Sequence, residues 1–246
     1  ANRRLTSQVA SLHLAPTAGA RRNLERENVD ASSIVVTGNT VIDALLHTAT
    51  QRSTIADVRL QALMDSGRPV LLVTTHRREN WGHTMEGIGR ALRRLALAFP
   101  EQVIVLPAHR NPAVRESLLP PLHGLPNVVV TEPLPYADFT QVMARSHIVL
   151  TDSGGVQEEA PSLGKPVLVM RENTERPEAV SAGTVRLVGT DEDRLVREVS
   201  TLVTDRAAYD LMSNAVNPYG DGSAAARVCA AARAFFGDGE RMPDFA

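Results

Sequence analysis

Six runs of aliphatic and β-branched residues recur along this chain with helical stretches between them: Val70–Thr74, Val103–Leu106, Val128–Val130, His147–Leu150, Val167–Val169 and Val185–Val188. None alternates apolar with polar residues, so each suits a strand covered on both faces. Met85–Phe99, Pro112–Leu119, Ala137–Ala144, Val156–Leu163 and Arg194–Val203 carry apolar residues at helical spacing. A β-α-β-α order repeating every ~20–30 residues predicts an α/β, Rossmann-like, doubly wound parallel sheet with right-handed crossovers. Aromatic residues make up 4% of the chain, so its core must rest on Leu, Val, Ile and Ala.

The first 50 residues have a different texture. Leu5–Ser11 reads as the end of a helix, Leu12–Ala15 and Ile34–Val36 as short strands, and Arg21–Glu27 and Thr40–Thr50 as helices. Two short strands cannot close a core. Residues 1–50 are therefore expected to be the tail of a preceding Rossmann-like domain with its crossover helix, and 51–222 a second domain. Residues 223–246, with the Ala-rich helix Ala224–Phe236, are expected to return toward the first. The 246 residues exceed one average domain and fall short of two, and the chain opens on Ala-Asn-Arg-Arg without Met. Both points suggest a natural N-terminus further upstream.

A net charge of −2 offers no electrostatic attraction for nucleic acid or a membrane surface. No apolar run is long enough to span a bilayer and no signal-peptide pattern opens the chain, which points to a cytoplasmic protein. Cys229 is the single cysteine, so neither a disulfide framework nor a cysteine metal site is available, and a buried structural thiol is expected. Lys165 is the only lysine; the arginines are spread over the whole chain, as genomic base composition would produce.

Three loops at the carboxyl ends of the expected strands carry the chemistry. In open α/β sheets, ligands bind beyond that edge. Thr151-Asp-Ser-Gly-Gly runs from a strand into a helix. Gly154 and Gly155 allow close backbone approach to a diphosphate, and the helix terminus offers unpaired N–H groups. Ser153 can donate its hydroxyl or cap the helix, and Glu159, about one turn in, can accept from ribose hydroxyls. Ser-Gly-Gly alone would equally fit a plain capped helix after a glycine turn. The second loop, Thr74-Thr-His-Arg-Arg-Glu-Asn-Trp81, sets His76 and Arg77 where they could meet a departing phosphate. Pro107-Ala-His-Arg-Asn-Pro112 repeats that logic with His109 and Arg110. No metal-ligand spacing, Walker loop or nucleophile elbow occurs, so no metal or cofactor is expected.

Together these segments, with Val36-Thr-Gly-Asn-Thr-Val-Ile-Asp43, Asn2-Arg-Arg-Leu-Thr6 and Arg171-Glu-Asn-Thr-Glu-Arg-Pro-Glu178, resemble the non-hydrolysing bacterial UDP-N-acetylglucosamine 2-epimerases along essentially the whole chain. The resemblance implies a GT-B-like fold of two Rossmann-like halves, with 51–222 as the UDP-binding half. It implies interconversion of UDP-GlcNAc and UDP-ManNAc by anti-elimination and re-addition of UDP, in a cytoplasmic homodimer supplying cell-surface polysaccharide synthesis. Carried over by position, His76 stabilises or protonates the leaving UDP, and Ser153, Gly154 and Gly155 hold the diphosphate. Glu159 meets the ribose, Phe139 packs near the uracil, and Arg176 contacts the nucleotide or helps close the cleft. Arg77 and His109 match positions used for a second, activating UDP-GlcNAc.

Two departures stand out. The family's acid–base carboxylates belong to its N-terminal domain, and this chain starts just after the last of them. Leu134 stands where some members have a Gln near the base. The alternatives are a GT-B glycosyltransferase domain and a non-catalytic nucleotide-binding fragment, the latter expected to bind UDP weakly without turnover.

Overall fold

All six continuous apolar runs become strands of one parallel sheet. The computed structural model describes residues 1–51 and 54–246. In chain order the elements are α1 (Asn2–Val9), β1 (His13–Ala15), α2 (Ala18–Arg26), β2 (Ile34–Val36), α3 (Thr40–Thr50), α4 (Val58–Asp65) and β3 (Val70–Thr74). Next come α5 (His83–Ala98), β4 (Val103–Pro107), α6 (Pro112–Leu118), β5 (Val128–Thr131), α7 (Tyr136–Arg145), β6 (Ile148–Thr151) and α8 (Gly154–Glu159). The chain closes with β7 (Val167–Val169), α9 (Pro177–Ser181), β8 (Val185–Leu187), α10 (Glu192–Thr204), α11 (Arg206–Ser213) and α12 (Ala224–Phe235).

The strand order is β5-β4-β3-β6-β7-β8. The chain runs outward from β3 in one direction, returns to the centre, and runs outward from β6 in the other, which is the doubly wound arrangement expected. β3 and β6 are neighbours, with Thr74 beside Thr151, and the crevice above them is the topological switch point where such sheets bind ligands. Leu71, Val73, Ile104, Leu106, Ile148, Leu150 and Leu168 share a core with Met85, Ile88 and Leu92 of α5 and Leu195 and Val199 of α10. The intervening Val70, Leu72, Val103, Val105, Val149, Val167 and Val169 are buried as well. With both faces covered, the strands have no reason to alternate.

The helix predicted over 156–163 is in fact two pieces. After α8 the chain tightens into a 3-10 turn, Ala160–Leu163, and stops at Gly164 in the left-handed region with φ 65°. Pro161, which has no N–H to donate, falls at that junction. The short helices α4 and α11 are additions to the predicted set. Each is started by an aspartate, Asp57 and Asp205, whose side chain accepts first-turn N–H bonds.

Contacts group the chain into two units, Ala1–His47 with Asn217–Ala246, and Thr48–Val216. In the first, β1 and β2 pair in parallel. There Asp43 of α3 accepts from the backbone N–H of Ala224 at 3.1 Å and of Ala225 at 2.8 Å. It thus caps α12 from a distant point in sequence, while Ser223 makes no side-chain cap. Asp43→Ala is expected to cost about 0.5–2 kcal/mol, as for other lost caps, seen as a lower urea midpoint; an unchanged midpoint would refute this capping role. Cys229 corrects the sequence expectation: it is exposed. α12 buries Ala224 and Ala231, and a run of alanines has no bulky stripe to reveal its inner face. Among the described residues, no helix is long and apolar enough to cross a membrane.

Candidate functional site

Two loops leave the sheet at the switch point. One follows β3 and carries Thr75, His76 and Arg77; the other follows β6 and carries Asp152 and Ser153 ahead of α8. The strands beneath them are joined by a 2.6 Å hydrogen bond between the Thr74 and Thr151 hydroxyls. Thr151 Oγ1 also accepts from the Ser153 N–H at 2.9 Å.

Asp152 clasps the loops together. Its carboxylate is wholly buried. It accepts from Thr75 Oγ1 and from the backbone N–H groups of His76 and Arg77, each at 3.0 Å to Oδ2. Asn80 Nδ2 adds a bond at 3.3 Å, and the imidazole Nδ1 of His76 lies 3.0 Å from Oδ1. Arg77 returns the link through its Nε, which donates to the Asp152 carbonyl at 3.0 Å. The imidazole itself remains 48% exposed, so a ligand can reach it.

The charges respond to this geometry. The hydrogen bond to Asp152 raises the His76 pKa above the usual imidazole value, against partial burial and the nearby Arg77 charge. Burial pushes the Asp152 carboxyl up, yet the bonds from the His76 imidazole and from the Arg77 and His76 backbone outweigh it and leave the pKa below the usual range.

Ser153 stands at the N-terminus of α8, and its side chain makes no capping bond. Over Gly154 lies the guanidinium of Arg176: a Cβ placed on that glycine would sit 3.4 Å from Arg176 Cζ. Arg176 is held by Glu158, to which its Nε donates at 2.8 Å, and by Glu175 at 3.3 Å. Its own backbone N–H donates to Thr174 Oγ1 at 3.1 Å. The Thr174 hydroxyl in turn donates to Gln157 Oε1 at 2.7 Å, and Gln157 Nε2 donates to the Ser153 carbonyl at 3.0 Å. The arginine is thereby tied to the loop it overhangs. A helix start, a glycine without a Cβ and a fork of N–H donors above it make a cradle able to receive an anion.

Glu159 is buried one position beyond Glu158 and accepts from the Tyr136 hydroxyl at 2.9 Å. Burial, reinforced by the Glu158 charge, raises its pKa despite that bond. Burial, together with the bond to Glu159, pushes the Tyr136 hydroxyl up to about 12. Phe139 lies on α7 three residues beyond Tyr136 and is half-buried. His109 is exposed after β4; its Nδ1 accepts from the Asn111 N–H at 3.2 Å. No hydrogen bond or ion pair between described residues joins the His109 loop to His76 or Arg77. The structure thus brings His76, Arg77, Ser153, Gly154, Gly155 and Arg176 together, sets Tyr136 and Glu159 at the other end of α8, and leaves His109 outside this hydrogen-bond network.

Sequence reasoning missed Asp152, Tyr136, Gln157 and Thr174 as parts of the site. For Asp152 a signal existed, since an acid between a central strand and Gly-Gly is poorly placed for solvation. Nothing in the sequence couples Tyr136 to Glu159. Among the described residues, no group of His, Cys, Asp or Glu is placed to hold a metal ion. A groove of ≈ 860 Å³ runs along the edge strand β8 and is lined by Val180, Val185 and Leu211, with no residue of these loops in its lining.

The sequence profile of the UDP-N-acetylglucosamine 2-epimerases matches residues 1–233. The chain belongs to this family. The UDP-N-acetylglucosamine 2-epimerase of Escherichia coli strain K12 is 50% identical over 233 residues, covering 93% of this chain and 62% of its own length. A Staphylococcus aureus relative solved with UDP superposes with a TM-score of 0.92 at 41% identity, covering 100% of this chain and 66% of that one. A UDP-GlcNAc 2-epimerase of Neisseria meningitidis, solved with UDP-GlcNAc bound, gives 0.83 at 42% identity, covering 93% and 62%. The chain therefore spans less than two thirds of the length of these 2-epimerases. The expected α/β class agrees with their fold.

Proposed function

We propose that this chain is the UDP-holding part of a UDP-N-acetylglucosamine 2-epimerase, with residues 51–222 as its nucleotide domain. The observation that carries the reading is the Asp152 clasp, which sets the His76 imidazole against the residue preceding Ser153 and the Arg176-covered glycines. The diphosphate would lie on the Ser153, Gly154 and Gly155 amides under Arg176, with its ester oxygen toward His76. Glu159, presented by Tyr136, would accept from the ribose, and Phe139 would flank the uracil. Arg77 and His109 are proposed contacts for a second UDP-GlcNAc.

In the forward reaction a base takes the proton from C2 as the C1–oxygen bond breaks, giving a glycal and UDP. UDP then adds back to C1 while a proton returns to the opposite face of C2. This half of the site serves the leaving group: a protonated His76 and Arg176 stabilise the charge that gathers on the phosphate. The carboxylates needed at C2 are not among the residues that the two switch-point loops bring together. Calorimetry with the 246-residue chain is therefore expected to show saturable UDP binding, with no UDP-ManNAc formed from UDP-GlcNAc. Failure to bind UDP would refute the site, and turnover by this chain would refute its assignment as the holding part alone.

The binding should also depend on pH in both directions. Glu159 must be ionised to accept ribose hydroxyls, and its pKa is raised, so affinity falls as pH drops through a value above the ordinary carboxylate range. His76 must be protonated to donate to phosphate, and its pKa is also raised, so affinity falls as pH rises through a value above the ordinary imidazole one. Titrations across pH should therefore give a bell-shaped profile.

A further inference from the structure

We propose that Asp152 is a positioning residue: its buried carboxylate holds His76 by Nδ1, leaves Nε2 to face the departing phosphate, and shapes the loop that carries the imidazole. The inference rests on the nucleotide reading only for the identity of the group that meets Nε2.

The geometry divides the work between the two carboxylate oxygens. Oδ2 is taken up by neutral donors, namely Thr75 Oγ1, the His76 and Arg77 backbone N–H groups and Asn80 Nδ2. Oδ1 meets Nδ1 of His76 at 3.0 Å, with a longer bond from the His76 N–H at 3.2 Å. Only an ionised carboxylate can accept from so many donors at once, because a protonated one must spend an oxygen on donating. The charge is fully buried, and a buried charge needs a partner. Among the described residues no arginine or lysine ion-pairs with that carboxylate; Arg77 Nε goes instead to the Asp152 carbonyl. The imidazolium is the partner left.

The charged groups acting on His76 are Asp152 from the β6–α8 loop and Arg77 from its own loop, with opposite effects. Glu79 and Glu175 approach Arg77 rather than the imidazole. A carboxylate on one ring nitrogen fixes the tautomer and orientation of the other. Neutral His76 would then carry its proton on Nδ1, and protonated His76 would present Nε2–H outward as the donor. The acid is thus ready before the nucleotide arrives.

Nitrogen-15 NMR of the imidazoles in the 246-residue protein tests this. In the unaltered protein, neutral His76 is expected as the Nδ1–H tautomer. A dominant Nε2–H tautomer would overturn the proposal, and this measurement needs no variant to fold. In Asp152→Asn the side chain can still bond to Nδ1 but no longer carries the negative charge that favours the imidazolium, so the His76 pKa should drop by about one unit or more, a tenfold change in the imidazolium ratio. The basic limb of the UDP affinity profile should move with it. A His76 titration unchanged in the folded variant would also overturn the proposal. Absence of UDP binding, with the Nδ1–H tautomer in place, would support the Asp152–His76 pair and refute the nucleotide reading instead.

Discussion

Arg176→Ala is expected to weaken UDP binding by about 10- to 100-fold, the loss of one charge-assisted contact worth about 1.5–3 kcal/mol. The guanidinium lies directly over Gly154, and its removal also takes away a cation that Glu158 and Glu175 share, while Glu175 keeps Arg171. Arg176→Lys should recover part of the loss, because an ammonium keeps the charge but not the planar fork. Calorimetry at two salt concentrations would check both: the variant lacking the cation should show the smaller salt dependence. Equal affinity for UDP in Arg176→Ala would remove Arg176 from the site.

The second large effect concerns stability and has opposite signs at two glycines of one helix. Gly87 and Gly89 both lie inside α5, where alanine is ordinarily better by about 0.5–1 kcal/mol. At Gly87 a Cβ would meet only the end of the Arg90 side chain at 3.6 Å, so Gly87→Ala should stabilise by that ordinary amount. At Gly89 a Cβ would fall 2.6 Å from the Leu118 carbonyl oxygen and 3.2 Å from Pro121 Cγ. Backbone cannot move aside there without parting α5 from α6, and overpacking of this kind costs about 1–3 kcal/mol. Urea unfolding of the two variants should move the midpoint in opposite directions. A Gly89→Ala protein as stable as its parent would show that the close approach is not a constraint.

Much of the fold was legible because both faces of the sheet are covered. Continuous runs such as Val70–Thr74 and Val103–Leu106 have one physical solution inside an α/β protein, and the glycines that open α8 mark a close approach whatever surrounds them. Boundaries were less legible: α8 stops early at Pro161, a local effect that helical spacing alone does not register. Cys229 was misplaced because an alanine-rich helix carries no stripe to say which side is buried. The residues that would touch UDP were named from strand-end position and family resemblance. The residues that hold them in place were not.

Glu158 and Glu159 make the reason plain. They are chemically equivalent neighbours in sequence, yet about 100° apart around a helix. One turns to Arg176 across the cradle, and the other is buried against Tyr136. Likewise Asp152 and His76 are brought together only because β3 and β6 are adjacent in the sheet. By itself the amino-acid sequence determined the strand and helix classes, the glycine-rich loop and the identity of the charged side chains, all properties of local spacing and composition. Which carboxylate meets which cation was decided by the tertiary structure, because that choice depends on strand order and helix rotation, and these follow from packing distant segments into one core.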